Sequence, residues 1–165
     1  MEKEKKNKLI YMSLIIIIIF FLDRLSKIYV LSISKINNSV DIIVTKYLNI
    51  YLIWNEGIAF GLLSFDQSNI YTFITALIAI ISIIVLVLII KTNDKRFYFY
   101  SFVFGGAVGN LFDRLYYSAV PDFIDLHINN YHWFIFNVAD IFITIGVLCL
   151  ILTELTASKS PNDEK

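Results

Sequence analysis

The sequence predicts an all-α membrane protein with four transmembrane helices and a small β-rich extracytoplasmic segment. Hydrophobic residues make up 58% of the 165 residues and charged residues only 17%, against roughly 25% charged in soluble proteins. The apolar residues are gathered into long runs, which places the chain in a bilayer. The length corresponds to a single domain over residues 1–165. The net charge of zero argues against nucleic acid as a partner.

Four hydrophobic runs predict the helices, which cover about residues 9–31, 70–90, 97–115 and 137–155. The first run is uninterrupted only over residues 9–22, which makes about 21 Å of helix against a hydrocarbon core of ~30 Å. This helix must therefore continue through Asp23, Arg24 and Lys27 and carry their charges near one interface. Asp23 and Lys27 are four positions apart with the acid first, which predicts an ion pair within the helix.

Lysine and arginine residues predict the orientation of the spans. The loops on one side carry only Lys35 and Lys46. The opposite side carries nine basic residues, namely Lys3, Lys5, Lys6, Lys8, Lys91, Lys95, Arg96, Lys159 and Lys165. Both termini are therefore predicted to be cytoplasmic, and Asp113, Asp122 and Asp140 all fall at or near the outer face.

The outer segment between the first two spans has the composition of strands. Residues 40–54 are rich in Ile, Val, Tyr and Thr, and Asn55-Glu56-Gly57 interrupts them as a turn. A second alternation covers residues 124–129, and together the two pieces predict a small sheet on the membrane surface. An outer aromatic belt is predicted from Tyr116, Tyr117, Tyr131, His132, Trp133 and Phe134.

Asp122 and Asp140 are the candidate catalytic pair. Asn137 stands just before the fourth apolar run and Asp140 three positions later, which is a capping-box arrangement with Asp in place of Glu. Asp140 is therefore open to two interpretations, a helix cap alone or an ionisable group with a chemical role. We expect a loop to bring Asp122 back to the same interface. Two carboxylates held close share one proton near neutral pH, so one activates a water while the other donates a proton.

Asp113 is the alternative partner in such a pair. It lies on the third predicted helix, with Asn110 one turn earlier and Arg114 adjacent. The simpler interpretation is that Asp113 and Arg114 satisfy each other, or partners on neighbouring helices, at the membrane edge. On the same helix, Gly105 and Gly109 form a G-x-x-x-G face that predicts a close contact with another helix.

The remaining candidate residues carry weaker signals. Asn55 is either a turn residue or a side chain that binds a peptide backbone in an outer site. His127 and His132, the only histidines, are assigned to one loop, and we interpret them as solvent or interface residues rather than metal ligands. The single Cys149 excludes an intramolecular disulfide, and no His-Glu-x-x-His motif is present. We therefore expect neither a metal nor an organic cofactor.

Five motifs, taken in order, resemble those of the lipoprotein signal peptidases, also called signal peptidase II. They are Asp23-x-x-x-Lys27, Asn55-x-Gly57-x-Ala59-Phe60, Gly105-Gly106-x-x-Gly109-Asn110-x-x-Asp113-Arg114, Asp122-Phe123 and Phe136-Asn137-x-Ala139-Asp140, with Gly146 beyond them. The match spans about residues 23–146. Each motif alone is weak, whereas five in the same order are a specific signal.

The resemblance implies a membrane aspartyl endopeptidase that removes signal peptides from bacterial prolipoproteins, cleaving before a diacylglyceryl-modified cysteine. It assigns the catalytic dyad to Asp122 and Asp140, and it implies a β-rich cradle and a lid-like helix beside the site. The expected partners are prolipoprotein substrates and membrane lipid, with the protein as a monomer in the bacterial cytoplasmic membrane. Residues expected to bind substrate or support the dyad are Asn110, Arg114, Asn137, Asn55, Asp113, Asp23, Lys27, Gly57 and Ala139.

Three other function classes compete with this interpretation. A transporter or ion-conducting protein would use the outer carboxylates to bind a cation or relay protons, but no inverted repeat is present and the polar groups cluster at one face. A membrane assembly module would use the G-x-x-x-G face but leaves the carboxylates without a role. An intramembrane protease of the Gly-x-Gly-Asp type would need a motif that the sequence lacks.

Overall fold

The computed structural model describes residues 2–57, 67–129 and 131–157. These residues form four helices and one four-stranded antiparallel sheet with the strand order β1-β2-β3-β4. The helices are α1 (Glu2–Asn37), α2 (Gln67–Lys91), α3 (Arg96–Tyr117) and α4 (Val138–Ala157). The strands are β1 (Asp41–Thr45), β2 (Leu48–Asn55), β3 (Val120–Ile128) and β4 (Tyr131–Phe136). The predicted combination of four helices with a small sheet is confirmed.

Three of the described helices are long and apolar enough to cross a membrane. They are α1, residues Asn69–Lys91 of α2 and residues Val138–Thr156 of α4, with mean hydropathies of 2.2, 3.4 and 2.2. No more than 17% of each apolar window is buried by the rest of the protein, so these side chains need lipid around them. The chain is therefore an integral membrane protein. α3 has 22 residues, which make about 33 Å of helix, but its polar C-terminal half lowers its hydropathy. Its crossing of the membrane stays a prediction.

The helices extend beyond their predicted bounds, most of all α1. Glu2 and Glu4 lie in its first turn and Lys35 in its last, where these charges stabilise the ends of the helix dipole. Asn38 then adopts a left-handed conformation with φ of 59°, which ends the helix. Ser118, with φ of 58°, ends α3 in the same way. Hydrophobic runs therefore located the helices but not their polar end turns.

α3 is the central helix, because it packs against each of the other three. Its glycines allow the close approach. A Cβ on Gly105 would lie 3.1 Å from the Cβ of Ile19, and one on Gly109 would lie 2.8 Å from Asp23 Oδ2, both on α1. The predicted G-x-x-x-G contact is confirmed, with α1 as the partner.

Gly106 brings α3 against α4, and its replacement by alanine is expected to destabilise the protein. The added Cβ would lie 2.5 Å from the backbone oxygen of Ala139 and 2.8 Å from Ile143, so the two helices must separate. We expect Gly106→Ala to cost about 1–3 kcal/mol, measured by thermal unfolding in detergent. Gly105→Ala, whose Cβ meets a side chain at 3.1 Å, is the control with the smaller loss. A Gly106→Ala melting temperature equal to that of the wild type would contradict this packing.

The sheet packs against the helices through β3, which contacts α3 and α1. β2 pairs with β3, with Asn55 opposite Val120 and Ile53 opposite Asp122. Phe123 of β3 packs with Val30 of α1 in a buried hydrophobic cluster. The predicted sheet of residues 40–54 and 124–129 is thus confirmed.

One assignment of the sequence prediction is wrong, and one strand was missed. Residues 131–136, for which no strand was predicted, form β4, and Asp122 lies near the start of β3. His127 and His132 consequently lie on adjacent strands as direct partners, not on one loop. Tyr131, Trp133 and Phe134 are each more than 60% exposed, as side chains of a membrane belt would be. The prediction from aromatic composition therefore missed a strand because strands and belts favour the same residues.

The lid-like helix that the resemblance implies is absent from the described residues. Between β2 and α2, residues 58–66 lie outside the described part of the chain. Ala59 and Phe60 of the second motif lie there as well.

Candidate functional site

Asn137 joins Asp122 to Asp140. Its side-chain Nδ2 donates a hydrogen bond of 2.6 Å to Oδ1 of Asp122. Its backbone N–H donates to Oδ2 of Asp140 at 3.1 Å, and the N–H of Asp140 donates back to Oδ1 of Asn137 at 3.2 Å. One asparagine therefore holds a carboxylate of β3 and a carboxylate of α4 at the same place.

The two interpretations of Asp140 are compatible. The reciprocal bonds with Asn137 are those of the predicted capping box, which is confirmed. The cap occupies Oδ2, while Oδ1 accepts a hydrogen bond of 2.8 Å from Asn110 Nδ2 of α3. The cap fixes the orientation of the carboxylate, and the remaining lone pairs are available for chemistry.

Asn55 holds the other side of Asp122. Its Nδ2 donates to Oδ2 of Asp122 at 2.8 Å, and its Oδ1 accepts from the N–H of Gly57 at 2.8 Å. Gly57 has a φ of 80°, a conformation that favours glycine. Asn55 therefore forms the predicted turn and also contacts Asp122 directly.

Asp122 is a buried acid with a shifted pKa. Asp122 is only 2% exposed, and burial raises the pKa of its carboxyl from 3.8 to about 6. The hydrogen bonds from Asn137 and Asn55 oppose this rise, and the nearby Asp140 adds to it. Asp122 therefore exchanges its proton close to neutral pH, as a general acid or base must.

This raised pKa makes stability depend on pH in a defined direction. The folded protein binds the Asp122 proton more tightly than the unfolded chain, so the contribution of Asp122 is fully present below pH 3.8 and is lost as pH rises through about 6. The melting temperature of the wild type minus that of Asp122→Asn is expected to fall between about pH 4 and 7. Thermal unfolding across this range measures it. A difference that is constant or rises with pH would contradict the raised pKa.

A buried cluster of four charges lies behind the carboxylate pair, between α1 and α3. Lys27 Nζ lies 2.8 Å from Asp23 Oδ1 and 2.6 Å from Asp113 Oδ2. Arg24 lies 2.8 Å from Asp23 and 2.5 Å from Asp113. None of the four residues is more than 8% exposed, and the charges sum to zero. The predicted pair of Asp23 and Lys27 is confirmed as half of a larger network.

The cluster is connected to the carboxylate pair through two contacts. Lys27 Nζ donates to Oδ1 of Asn110 at 3.0 Å, and Asn110 in turn donates to Asp140. The backbone N–H of Ala139, in the first turn of α4, donates to Oδ1 of Asp23 at 3.1 Å. The charges of α1 therefore hold both the start of α4 and the asparagine that contacts Asp140.

Asp113 is occupied by Arg24 and Lys27 rather than by Arg114. The interpretation that it satisfies partners on a neighbouring helix is the one that the structure confirms. Arg114 instead directs Nη1 to the backbone oxygen of Asn110 at 3.4 Å, and its buried Nε has no hydrogen-bond partner among the described residues. Arg24 is the member of the cluster that sequence reasoning gave no role, because its neighbours Asp23 and Lys27 already paired.

An apolar groove opens beside Asp140. It has a volume of about 690 Å³ and lies between the β3–β4 hairpin and the first two turns of α4. Asp140 lies in its wall. Its apolar lining includes Leu126, Ile128, Phe134, Phe136, Ile141 and Ile145. A groove of this kind accepts an apolar chain and places a carboxylate against it.

Comparisons with known proteins agree with one another. The family model described as "Signal peptidase (SPase) II" matches residues 15–156. A lipoprotein signal peptidase of Pelagibacter ubique (strain HTCC1062) is 52% identical over 94% of this chain and 94% of its own length. Another from Anaplasma phagocytophilum (strain HZ) is 40% identical over 84% of this chain and 87% of its own length.

Two solved structures of bacterial membrane enzymes have a similar fold. One has a TM-score of 0.71 and 31% identity, covering 94% of this chain and 93% of that chain. The other has a TM-score of 0.69 and 33% identity, covering 88% and 92%. The similarity extends over nearly the whole length of each chain.

Proposed function

The chain belongs to the signal peptidase II family, and we propose that it removes signal peptides from diacylglyceryl-modified bacterial prolipoproteins. It acts as an aspartic endopeptidase that cleaves before the lipid-modified cysteine. The observation that carries the proposal is the pair of carboxylates, Asp122 and Asp140, that Asn137 joins at the outer end of α4. The family membership supplies the substrate class, and the pair supplies the chemistry.

The proposed mechanism uses the two carboxylates as a general acid and a general base. The ionised carboxyl takes a proton from a water as that water attacks the scissile carbonyl. The protonated carboxyl donates its proton to the developing oxyanion. As the C–N bond breaks, the carboxyl that took the water proton gives it to the leaving amine, and the other carboxyl regains its proton from the collapsing intermediate. Asn55, Asn110 and Asn137 orient the two carboxyls, which lowers the reorganisation needed at each proton transfer.

The groove supports a lipid-modified substrate. Its walls are apolar and Asp140 lies among them, so a substrate anchored in lipid reaches the carboxylates without leaving an apolar environment. We assign the acyl chains to the bilayer and the peptide near the modified cysteine to the groove. The burial of the carboxylates then excludes bulk water from the reacting atoms.

The proposal includes a location and a topology. The protein lies in the bacterial cytoplasmic membrane as a monomer, crosses it four times with α1 to α4, and keeps both termini in the cytoplasm. The distribution of lysine and arginine supports this orientation. The carboxylates, near the start of β3 and in the first turn of α4, then face the outer leaflet.

Cleavage of a matched pair of substrates tests the proposed function. Purified protein is incubated with a prolipoprotein carrying the diacylglyceryl group and with the same prolipoprotein left unmodified, and products are separated by gel electrophoresis. We expect cleavage of the modified form only, with the lipidated cysteine as the new N-terminal residue by mass spectrometry. Cleavage of neither form by folded protein would overturn the proposal and favour the transporter class. Equal cleavage of both would overturn the lipid requirement.

A further inference from the structure

Asp125, His127 and His132 form a second cluster of ionisable side chains, on β3 and β4. Nδ1 of His132 lies 2.9 Å from Oδ2 of Asp125, and Nδ1 of His127 lies 3.8 Å from the same oxygen. One ligand atom from each of the three residues can be chosen so that all lie within 4.8 Å of one another. The imidazole rings stack with centroids 5.1 Å apart. The hairpin therefore presents two ring nitrogens and a carboxylate to one point.

Internal hydrogen bonds do not account for every polar atom of this cluster. Nδ1 of His127 is buried and has no hydrogen-bond partner among the described residues. The same is true of Oδ1 of Asn49, which lies on β2 directly opposite Asp125. Burying a polar atom without a partner costs about 1–3 kcal/mol. Two such atoms beside one buried carboxylate indicate that a ligand completes the site.

The space for that ligand is present. A cavity of about 360 Å³ is lined by Asn49, Asp125 and His132, and His127 lines the neighbouring groove. Asp125 is 3% exposed, whereas the side chain of His132 is 54% exposed. A small ion can therefore enter past His132 and reach the buried carboxylate.

We propose that Asp125, His127 and His132 bind a divalent transition-metal ion, with Zn²⁺ as the ion that this donor set favours. Two imidazoles and one carboxylate are ligands of Zn²⁺, which binds them at about 2.0–2.2 Å. Four ligands at this distance in a tetrahedron lie about 3.4 Å from one another. The distances from Asp125 Oδ2 to Nδ1 of His132 and of His127, 2.9 and 3.8 Å, are on either side of this value. Mg²⁺ and Ca²⁺ prefer oxygen ligands and are not expected here.

The site does not include the carboxylate pair, although His127 also lines the groove that has Asp140 in its wall. Asp125 follows Asp122 by three positions on β3, so the bound ion would link β3 to β4 close to the strand that carries Asp122. Sequence analysis interpreted the two histidines as solvent or interface residues. That interpretation lacked the strand pairing that brings them to Asp125.

Metal binding by purified full-length protein tests the proposal. The protein is prepared in detergent with a tag that contains no histidine, in a Cys149→Ser background that removes the only thiol, and is treated with a chelator. Zn²⁺ is titrated by calorimetry, and Co²⁺ by visible absorption. We expect one Zn²⁺ per chain, absorption typical of tetrahedral Co²⁺, and a higher melting temperature with Zn²⁺.

The ligand variants are His127→Ala and His132→Ala, with Lys46→Ala, near the same sheet, as the matched control. Each histidine variant is expected to weaken Zn²⁺ binding at least about tenfold, while Lys46→Ala binds as the wild type does. Thermal melting in metal-free buffer identifies any histidine variant that is unfolded. Asn49→Ala is then used in place of that variant, and it is expected to weaken Zn²⁺ binding less than the loss of a histidine does. The proposal would be overturned if the wild type showed no saturable Zn²⁺ binding, or if both histidine variants bound Zn²⁺ as tightly as the wild type. Neither result bears on peptide cleavage.

Discussion

Asp122→Asn and Asp140→Asn are each expected to lower the rate of prolipoprotein cleavage by about 10²–10⁴-fold. An amide can neither take the proton of the attacking water nor give one to the leaving amine. The double variant is expected to be little slower than either single one, because the two groups act as a unit. Single-turnover cleavage of a diacylglyceryl-modified substrate measures the rates.

Two further aspartates serve as controls for this prediction. Asp94, between α2 and α3, has a side chain that is 52% exposed and paired with Arg96, so Asp94→Asn should cleave at the wild-type rate. Asp113→Asn tests the alternative pair. If Asp122→Asn keeps the wild-type rate while folded Asp113→Asn is inactive, the dyad belongs to Asp113 and Asp140. A melting curve for each variant separates loss of chemistry from loss of fold.

Asp113→Asn is also expected to produce the largest loss of stability, about 3–5 kcal/mol. The substitution removes one of two negative charges from a cluster in which Asp113 and Asp23 are 0% exposed and Lys27 is 1% exposed. One positive charge is then left buried without compensation. Unfolding by denaturant or heat in detergent measures the loss.

A charge-balanced variant distinguishes this cause from a local loss of packing. Asp113→Asn combined with Arg24→Gln restores a cluster of zero net charge and is expected to recover part of the lost stability. Arg24 is the suitable partner because Lys27 also donates to Asn110. The contrary result is simple additivity. If Arg24→Gln lowers the free energy of unfolding by the same amount in Asp113→Asn as it does in the wild type, the two charges do not compensate each other.

Most of the helical architecture could be predicted from the sequence, because the bilayer requires long apolar runs that few other structures produce. The ion pair of Asp23 and Lys27 and the cap formed by Asn137 and Asp140 are local, four and three positions apart, and spacing alone was enough for them. The contact of Gly105 and Gly109 was also predicted, although its partner helix was not.

Contacts between distant segments could not be predicted. Asn55 reaches Asp122 across 67 positions, and Arg24 reaches Asp113 across 89. No spacing rule relates residues so far apart, since their proximity depends on the pairing of β2 with β3 and of α1 with α3. The same limit applies to His127 and His132. Their approach to Asp125 requires the β3–β4 hairpin, where a loop was predicted.

The polar C-terminal half of α3 has a consequence for how the chain enters the membrane. Asn110, Asp113 and Arg114 make this helix a poor substrate for insertion on its own, because each charged residue opposes its partition from the translocon into lipid. Among the described residues, the basic side chains that pair with Asp113 are Arg24 and Lys27 of α1. α1 is synthesised first, so it is already in the bilayer when α3 emerges from the ribosome and can receive it. If α3 crosses the membrane as predicted, we therefore expect its insertion to depend on α1, and a chain that lacks α1 should insert α3 less efficiently.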